Sequence, residues 1–269
     1  MAYLSLDDRS IYYDIVDLTP PWVRAPQTIL FHHGVAASAE IWADWLPALI
    51  GRYRLVRFDM RGCGRSEKGD ARAAIGFESM LGDLLALADA VEANRFHLVG
   101  ESIGGSLALL AALRQPQRVR SVTGVSCSHR GSGVDNVVPW RVFIDEHGMA
   151  GWSEMMMARR FHPGALPDAR HAWYQRQQSE QDPDVVLALA QALLDLDLSP
   201  ELDRLTQPVL LLSPDDSPFI GPTITAELHR LLPDSEMQVF AGTRHGLPFS
   251  HARPCAAATA DFLARRFEN

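Results

Sequence analysis

The stretch that decides the fold is residues 97–113, HLVGESIGGSLALLAAL. A short apolar run typical of a buried strand ends at Gly100, and an apolar run typical of a helix begins after Ser102. Gly100, Ser102 and Gly104 together form the pattern G-x-S-x-G. Glycines alone would only make a tight turn, but a serine on a sharp strand-to-helix turn exposes its hydroxyl for chemistry. The position of Ser102 between a strand and a helix therefore favours a nucleophile.

Strand-like and helix-like segments alternate on both sides of this turn. Buried parallel strands read as apolar runs bounded by turn residues, and helices as apolar residues three or four apart. The alternation predicts an α/β protein with a mostly parallel central sheet and helices on both faces. The predicted strands cover 10–16, 28–34, 53–59, 95–100, 119–126, 208–213 and 235–242, and the predicted helices cover 77–93, 103–116, 223–232 and 255–267.

The alternation stops between residues 129 and 205, where the sequence is helix-leaning and rich in tryptophan, methionine and arginine. We expect a helical cap here, inserted into a core formed by residues 1–128 and 206–269. Side chains of such a cap either line a substrate pocket or pack the cap's own core. The candidates for substrate binding are Trp140, Arg141, Trp152, Met156 and Phe161.

Composition limits the class of protein. The chain has 269 residues and a net charge of −8, which argues against a nucleic-acid partner because phosphate binding needs a basic surface. No apolar run approaches the roughly 20 residues of a membrane span, and the start of the chain does not resemble a signal peptide. We therefore expect a soluble cytoplasmic protein with no membrane partner and no metal. The three widely spaced cysteines fit a reducing compartment: Cys63, Cys127 and Cys255.

A serine nucleophile needs a histidine base and a group that orients the base. His245 lies in a glycine-containing loop after the last predicted strand, at the end of the sheet where active sites collect, and His251 is the second choice. Asp216 follows the strand 208–213 and is the favoured acid, although Asp215 beside it stays open.

Five segments of the chain, in this order, resemble the α/β-hydrolase superfamily over essentially the whole sequence. The chain order of nucleophile, acid and histidine is also the order of that superfamily. The resemblance implies the α/β-hydrolase fold and an acyl-enzyme mechanism without a cofactor. The segments are FHHGVAASAEIW (31–42), FDMRGCGRS (58–66), LVGESIGG (98–105), PVLLLSPDD (208–216) and GTRHGLPF (242–249).

The resemblance also implies an oxyanion hole formed by the backbone N–H groups of Val35 and Ile103. His33 is then expected to hold its own loop by hydrogen bonding, and the segment 58–66 to shape a turn beside the nucleophile. A direct role of Arg61 on the substrate is an alternative, and the role of Glu101 stays open.

The identity of the nucleophile and the sequence of the cap narrow the class of substrate. Dehalogenases and epoxide hydrolases of this fold carry Asp where this chain has Ser102. The cap resembles that of 3-oxoadipate enol-lactonases, so the expected partner is a small carboxylic ester or lactone. In that case Arg141, together with Arg159 or Arg160, would either bind a substrate carboxylate or face solvent. Alternatives are a C–C bond hydrolase of aromatic degradation, a cofactor-free perhydrolase or haloperoxidase, and a non-enzymatic small-molecule receptor. The sequence is compatible with a homodimer.

Overall fold

The computed structural model describes residues 2–69, 75–135 and 137–267. Its sheet has the strand order β1-β2-β4-β3-β5-β6-β7-β8. β2 is antiparallel to its neighbours β1 and β4. The remaining neighbours in the sheet, β4-β3-β5-β6-β7-β8, all pair in parallel. The strands are β1 Ala2–Leu6, β2 Arg9–Val16, β3 Gln27–His32, β4 Tyr53–Phe58, β5 Phe96–Glu101, β6 Val119–Val125, β7 Val209–Pro214 and β8 Ser235–Phe240.

Helices cover both faces of the sheet because the central strands are apolar on both sides. In β3, Ile29 and Phe31 belong to one buried cluster and Leu30 to the other, as the twofold alternation of a strand requires. The cluster with Leu30 includes side chains of α2, α3 and α7, and the other includes side chains of α1 and α9. The helices are α1 Leu46–Leu49, α2 Phe77–Ala90, α3 Ile103–Arg114, α4 Trp140–Arg160, α5 Asp168–Ser179, α6 Pro183–Asp195, α7 Pro222–Leu231, α8 Leu247–Ser250 and α9 Ala252–Phe267, with 3-10 turns at Ala39–Trp45, Gly131–Gly133 and Ser199–Arg204.

The seven predicted strands and four predicted helices all occur, with ends that differ by a few residues. The strand β1 was not predicted. It is a five-residue edge strand whose residues alternate between half-buried and exposed. So short a segment makes a strand only when a partner supplies hydrogen bonds, and here β2 pairs with it in antiparallel register.

The described residues between β6 and β7 form helices rather than sheet strands. The chain turns inside α4 at Gly148, where φ is 65°, so that α4 consists of two helical segments. α6 begins with Asp182, whose side chain accepts hydrogen bonds from the Asp184 and Val185 amides, followed by Pro183. The limits 129–205 of the cap stay a prediction. None of the helices in the described part of the chain is long and apolar enough to cross a bilayer.

Candidate active site

Ser102 lies at the junction of β5 and α3 in a backbone conformation that is unusual for a residue with a side chain. Its φ is 52° and its ψ is −120°, and only 5% of the residue is exposed. The junction leaves the hydroxyl at the N-terminus of a 12-residue helix, whose unpaired amides and dipole favour negative charge. A strained serine at this place is what the pattern G-x-S-x-G predicts.

The two glycines of the pattern are required by close approach of the backbone. A Cβ atom on Gly100 would lie 2.3 Å from the Gly104 carbonyl oxygen, and one on Gly104 would lie 2.4 Å from the His32 carbonyl oxygen. Both distances are far below contact, and backbone cannot move aside as a flexible side chain can. The turn therefore closes only because neither residue has a side chain.

Replacing Ser102 by glycine is expected to stabilise the protein. Glycine adopts a positive φ without strain, so Ser102→Gly should gain about 1 kcal/mol after its larger unfolded-state entropy is subtracted. Ser102→Ala keeps the Cβ atom and the strain, and is the matched control. Urea unfolding of both variants measures the difference, and a glycine variant less stable than the alanine variant would contradict the assignment of strain.

His245 lies in the loop after β8 and lines the same cavity as Ser102. It is 4% exposed, and its ring packs edge-on against Phe219 at 5.0 Å between centroids. Burial, together with the nearby Arg160 guanidinium, lowers the pKa of the His245 imidazole to about 3. The ring is therefore neutral at ordinary pH, as a general base must be. His251 bonds instead to Ser250, outside this cavity.

The residue against His245 is Ser217 and not the predicted Asp216. Ser217 Oγ lies 3.2 Å from His245 Nδ1. The Asp216 carboxylate lies 3.2 Å from Arg244 Nε and 3.4 Å from His162 Nε2, and its side chain is 61% exposed. The predicted contact between Asp216 and His245 is thus wrong for this structure.

The backbone of the loop after β7 explains this shift. The Asp216 amide donates to the Thr243 carbonyl, and the Asp215 carboxylate accepts the Gly242 and Thr243 amides. These hydrogen bonds lower the pKa of Asp215. Asp215 therefore ties the loop after β7 to the loop that carries His245, and Ser217 is the next side chain that reaches the ring.

The predicted oxyanion donors both lie at the site. Val35 lines the cavity, and Ile103 is the first residue of α3. Neither amide donates a hydrogen bond to another backbone group among the described residues. His33 holds the loop as expected, with Nδ1 2.8 Å from the Gly34 carbonyl and Nε2 accepting the Met60 amide at 3.0 Å.

A buried ion pair fixes the backbone on both sides of the Val35 amide, and it gives Glu101 a role. Glu101 Oε2 accepts the Gly34 amide at 3.0 Å, and Arg160 Nη2 donates to the Val35 carbonyl at 2.8 Å. Arg160 Nη1 lies 3.5 Å from Glu101 Oε1, and both side chains are at most 2% exposed. Burial raises the pKa of the Glu101 carboxyl, while Arg160 and the Gly34 amide oppose that rise. Arg160, at the end of α4, thus connects that helix to the loop of Gly34 and Val35.

The cavity above Ser102 is small and mostly apolar. Its interior volume is about 20 Å³, room for little more than one water molecule. Side chains of α4, α6 and the loop after β7 close it. Its lining residues are Val35, Ser102, Val134, Val137, Trp140, Met156, Arg160, Ala190, Leu193, Phe219, Ile220 and His245.

This arrangement of strands, strained serine and histidine loop agrees with comparison to known proteins. A family model described as the α/β-hydrolase fold matches residues 27–190, which is more than half of the chain. The chain belongs to the α/β-hydrolase family. The predicted fold and family are confirmed, and with them the assignment to the hydrolases.

Three members of the α/β-hydrolase family show how similar this chain is to known proteins. A Caulobacter sp. strain K31 protein, provisionally named the carbamate hydrolase RutD, is 26% identical over 249 residues, covering 88% of this chain and 91% of that protein. Epoxide hydrolase B of Mycobacterium tuberculosis is 34% identical over 117 residues, covering 43% of this chain and 33% of that protein. The enol-lactonase of Burkholderia xenovorans LB400 superposes with a TM-score of 0.89 at 22% identity, covering 98% of this chain and all 100% of that structure. The last likeness shows the fold.

Of the five predicted substrate-binding residues of this hydrolase, two line the cavity and three do not. Trp140 and Met156 line the cavity. Trp152 is fully buried behind Trp140, with ring centroids 5.0 Å apart. Phe161 packs against Tyr174 in the second core cluster, and Arg141 is exposed at a separate groove on the surface.

The segment 58–66 shapes a turn, as predicted. The Asp59 carboxylate accepts the Ala39 and Arg65 amides, and Ser66 Oγ donates to the Asp59 carbonyl. Arg61 is 3% exposed and bonds to Asp83, so it does not line the cavity. Among the residues that the structure describes, no cluster of three or more histidine, cysteine or carboxylate side chains could hold a metal ion.

Proposed function

We propose that this hydrolase cleaves small carboxylic esters or lactones through an acyl-enzyme on Ser102. One observation carries the proposal: the strained Ser102, the neutral His245 and Val35 line one buried cavity, and Ile103 follows Ser102 directly at the start of α3. Among the described residues, neither the Val35 nor the Ile103 amide donates to another backbone group. A nucleophile, a base and two oxyanion donors are the parts that acyl transfer requires.

The chemistry runs in two steps. The Ser102 hydroxyl gives its proton to His245 Nε2 as Oγ bonds to the substrate carbonyl carbon, and the Val35 and Ile103 amides bind the oxyanion. The bond from that carbon to the leaving oxygen then breaks, and the proton passes from Nε2 to the leaving oxygen. Water repeats the sequence on the acyl-enzyme, which releases the carboxylic acid and regenerates Ser102.

The lining of the cavity favours a short, uncharged acyl group. Trp140, Met156 and Leu193 fill most of the space above Ser102 and leave about 20 Å³, so the shortest acyl groups need the least displacement of these side chains. Arg160 is the cation at this cavity, but its guanidinium already contacts Val35, Gln178 and Glu101. Arg141 lies elsewhere, so the cap offers less to a substrate carboxylate than the resemblance to enol-lactonases implies. Carbamates are a second candidate because the relative RutD carries that assignment.

A substrate panel with an active-site label tests the proposal. We expect a fluorophosphonate probe to label the purified protein at Ser102, and p-nitrophenyl acetate and butyrate to be hydrolysed faster than the octanoate. Neutral lactones should react faster than carboxylated ones, and aryl carbamates report on the second candidate. Failure to react with the probe would contradict a serine nucleophile and favour a receptor, whereas bromination in acetate buffer with peroxide would indicate a perhydrolase.

The rate is expected to be nearly independent of pH between about 5 and 8. A free histidine loses half of its neutral form near pH 6.5, but the lowered pKa of His245, about 3, keeps the ring neutral well below that value. Protonation of the ring on the acid side removes the base, so kcat/KM should fall only near pH 4 and below. A pH profile of p-nitrophenyl acetate hydrolysis checks this, and a half-maximal point near pH 6.5 would contradict it.

A further inference from the structure

The hydroxyl of Ser217 is already occupied as an acceptor. Its Oγ accepts the Ile220 amide at 3.1 Å and the Phe219 amide at 3.3 Å. A serine oxygen has two acceptor lone pairs and one proton. With both lone pairs directed to amides, the proton is what remains for His245 Nδ1, 3.2 Å away. The hydrogen bond therefore runs from Ser217 to the ring.

We propose that Ser217 is the positioning residue of His245 and that, by donating to Nδ1, it holds the resting ring with its proton on Nε2. A carboxylate would do the opposite, because it can only accept and so requires the proton on Nδ1. In the resting state Nε2, the nitrogen that must take the Ser102 proton, is occupied. Before each attack Nε2 has to release its proton to water and Nδ1 has to take one up, which breaks the hydrogen bond from Ser217.

Two further observations agree with this arrangement. Arg160 is the charged group that acts on His245, and it disfavours the imidazolium instead of stabilising it. Ser102 Oγ and the ring are not joined by a hydrogen bond among the described residues, although both line the cavity. Because neither charge nor tautomer assists the base, activated esters with phenol or enol leaving groups should be favoured strongly over alkyl esters. This kinetic consequence rests on the proposed function, whereas the position of the proton does not.

The position of the proton can be read directly by ¹⁵N NMR of protein labelled in histidine. At pH 7 we expect the His245 ring to show a protonated Nε2 and an unprotonated Nδ1, with its signals assigned by their loss in His245→Gln. In Ser217→Asp we expect the reverse, a protonated Nδ1 and an unprotonated Nε2. A proton on Nδ1 in the wild type would overturn the proposal, whatever the protein's activity.

The kinetic test uses matched variants at position 217. In Ser217→Asp the carboxylate can accept the Phe219 and Ile220 amides and Nδ1–H together, so kcat should rise by up to roughly 10⁴-fold, the factor by which a wrong tautomer slows a serine hydrolase. The gap between phenyl and alkyl esters of one acyl group should narrow, and the acid limb of the pH profile should move towards neutrality. Ser217→Asn is similar in size but can still donate to Nδ1, and should stay slow.

Asp216→Asn is the control for the neighbouring acid. Because Asp216 is exposed and bonded to Arg244 and His162, this variant should keep its rate within about twofold. A loss of several orders of magnitude in Asp216→Asn, or equal rates in Ser217→Asp and Ser217→Asn, would overturn the proposal. Absence of fluorophosphonate labelling in every variant would instead contradict the proposed function and leave the NMR result to decide the tautomer.

Discussion

Ser102→Ala is expected to lower kcat by roughly 10⁴–10⁶-fold with the fold intact. The variant has no atom that can form the acyl-enzyme, while the oxyanion amides and the cavity remain. The rate that remains above that of the uncatalysed reaction in water then comes from the amides and from binding alone. Steady-state hydrolysis of p-nitrophenyl acetate measures the loss, and circular dichroism checks the fold.

The nearby hydroxyl of Ser106 makes a useful control. It is buried one helical turn along α3 and donates to the Ser128 carbonyl and, at 3.3 Å, to the Ser102 carbonyl, so Ser106→Ala removes a hydroxyl near the site that does not line the cavity. We expect only a modest loss of stability and little change in rate for that variant. Hydrolysis by Ser102→Ala at a near-normal rate would refute the nucleophile.

Arg160→Met is expected to damage both stability and rate. It leaves Glu101 buried without its cation, and breaking a buried pair in this way costs about 3–5 kcal/mol of unfolding free energy. It also frees the Val35 carbonyl from its donor. Loss of one positioned oxyanion donor lowers kcat by about 10²–10³-fold, and we expect a change of that order.

A second substitution separates the two effects. In the double variant Glu101→Gln with Arg160→Met no charge is left unpaired, so most of the stability should return while the rate stays low, because the Val35 peptide still lacks its anchor. Arg141→Met makes the same change on an exposed residue and should alter neither quantity. If the double variant recovered full activity, the ion pair would be structural only.

Much of the site followed from short sequence patterns. Ser102 was predictable because a strand segment, the two glycines of G-x-S-x-G and a helix segment follow one another directly along the chain. That order permits only a sharp turn at Ser102. His245 was predictable because it follows the last parallel strand, at the edge of the sheet where the other strands also end. Both predictions depend on local sequence and on strand direction, which periodicity reveals.

Arg160 and Ser217 could not be selected in the same way. Arg160 is one of several arginines between β6 and β7, and only packing of α4 against the loop of Gly34 and Val35 buries it beside Glu101. Trp152 and Phe161 are large aromatic residues like Trp140, yet they pack the interior and do not line the cavity. Composition identifies such residues as a group, while the orientation of each depends on contacts distant in sequence.

The sequence by itself determined the sheet, the strained turn at Ser102 and the histidine loop, because each is encoded by residues adjacent along the chain. Only the tertiary structure decided which side chain reaches the histidine. Asp215, Asp216 and Ser217 are consecutive, and all three are common in turns. Their directions are set by hydrogen bonds between the loops after β7 and β8, which turn Asp216 towards Arg244 and leave Ser217 against the ring.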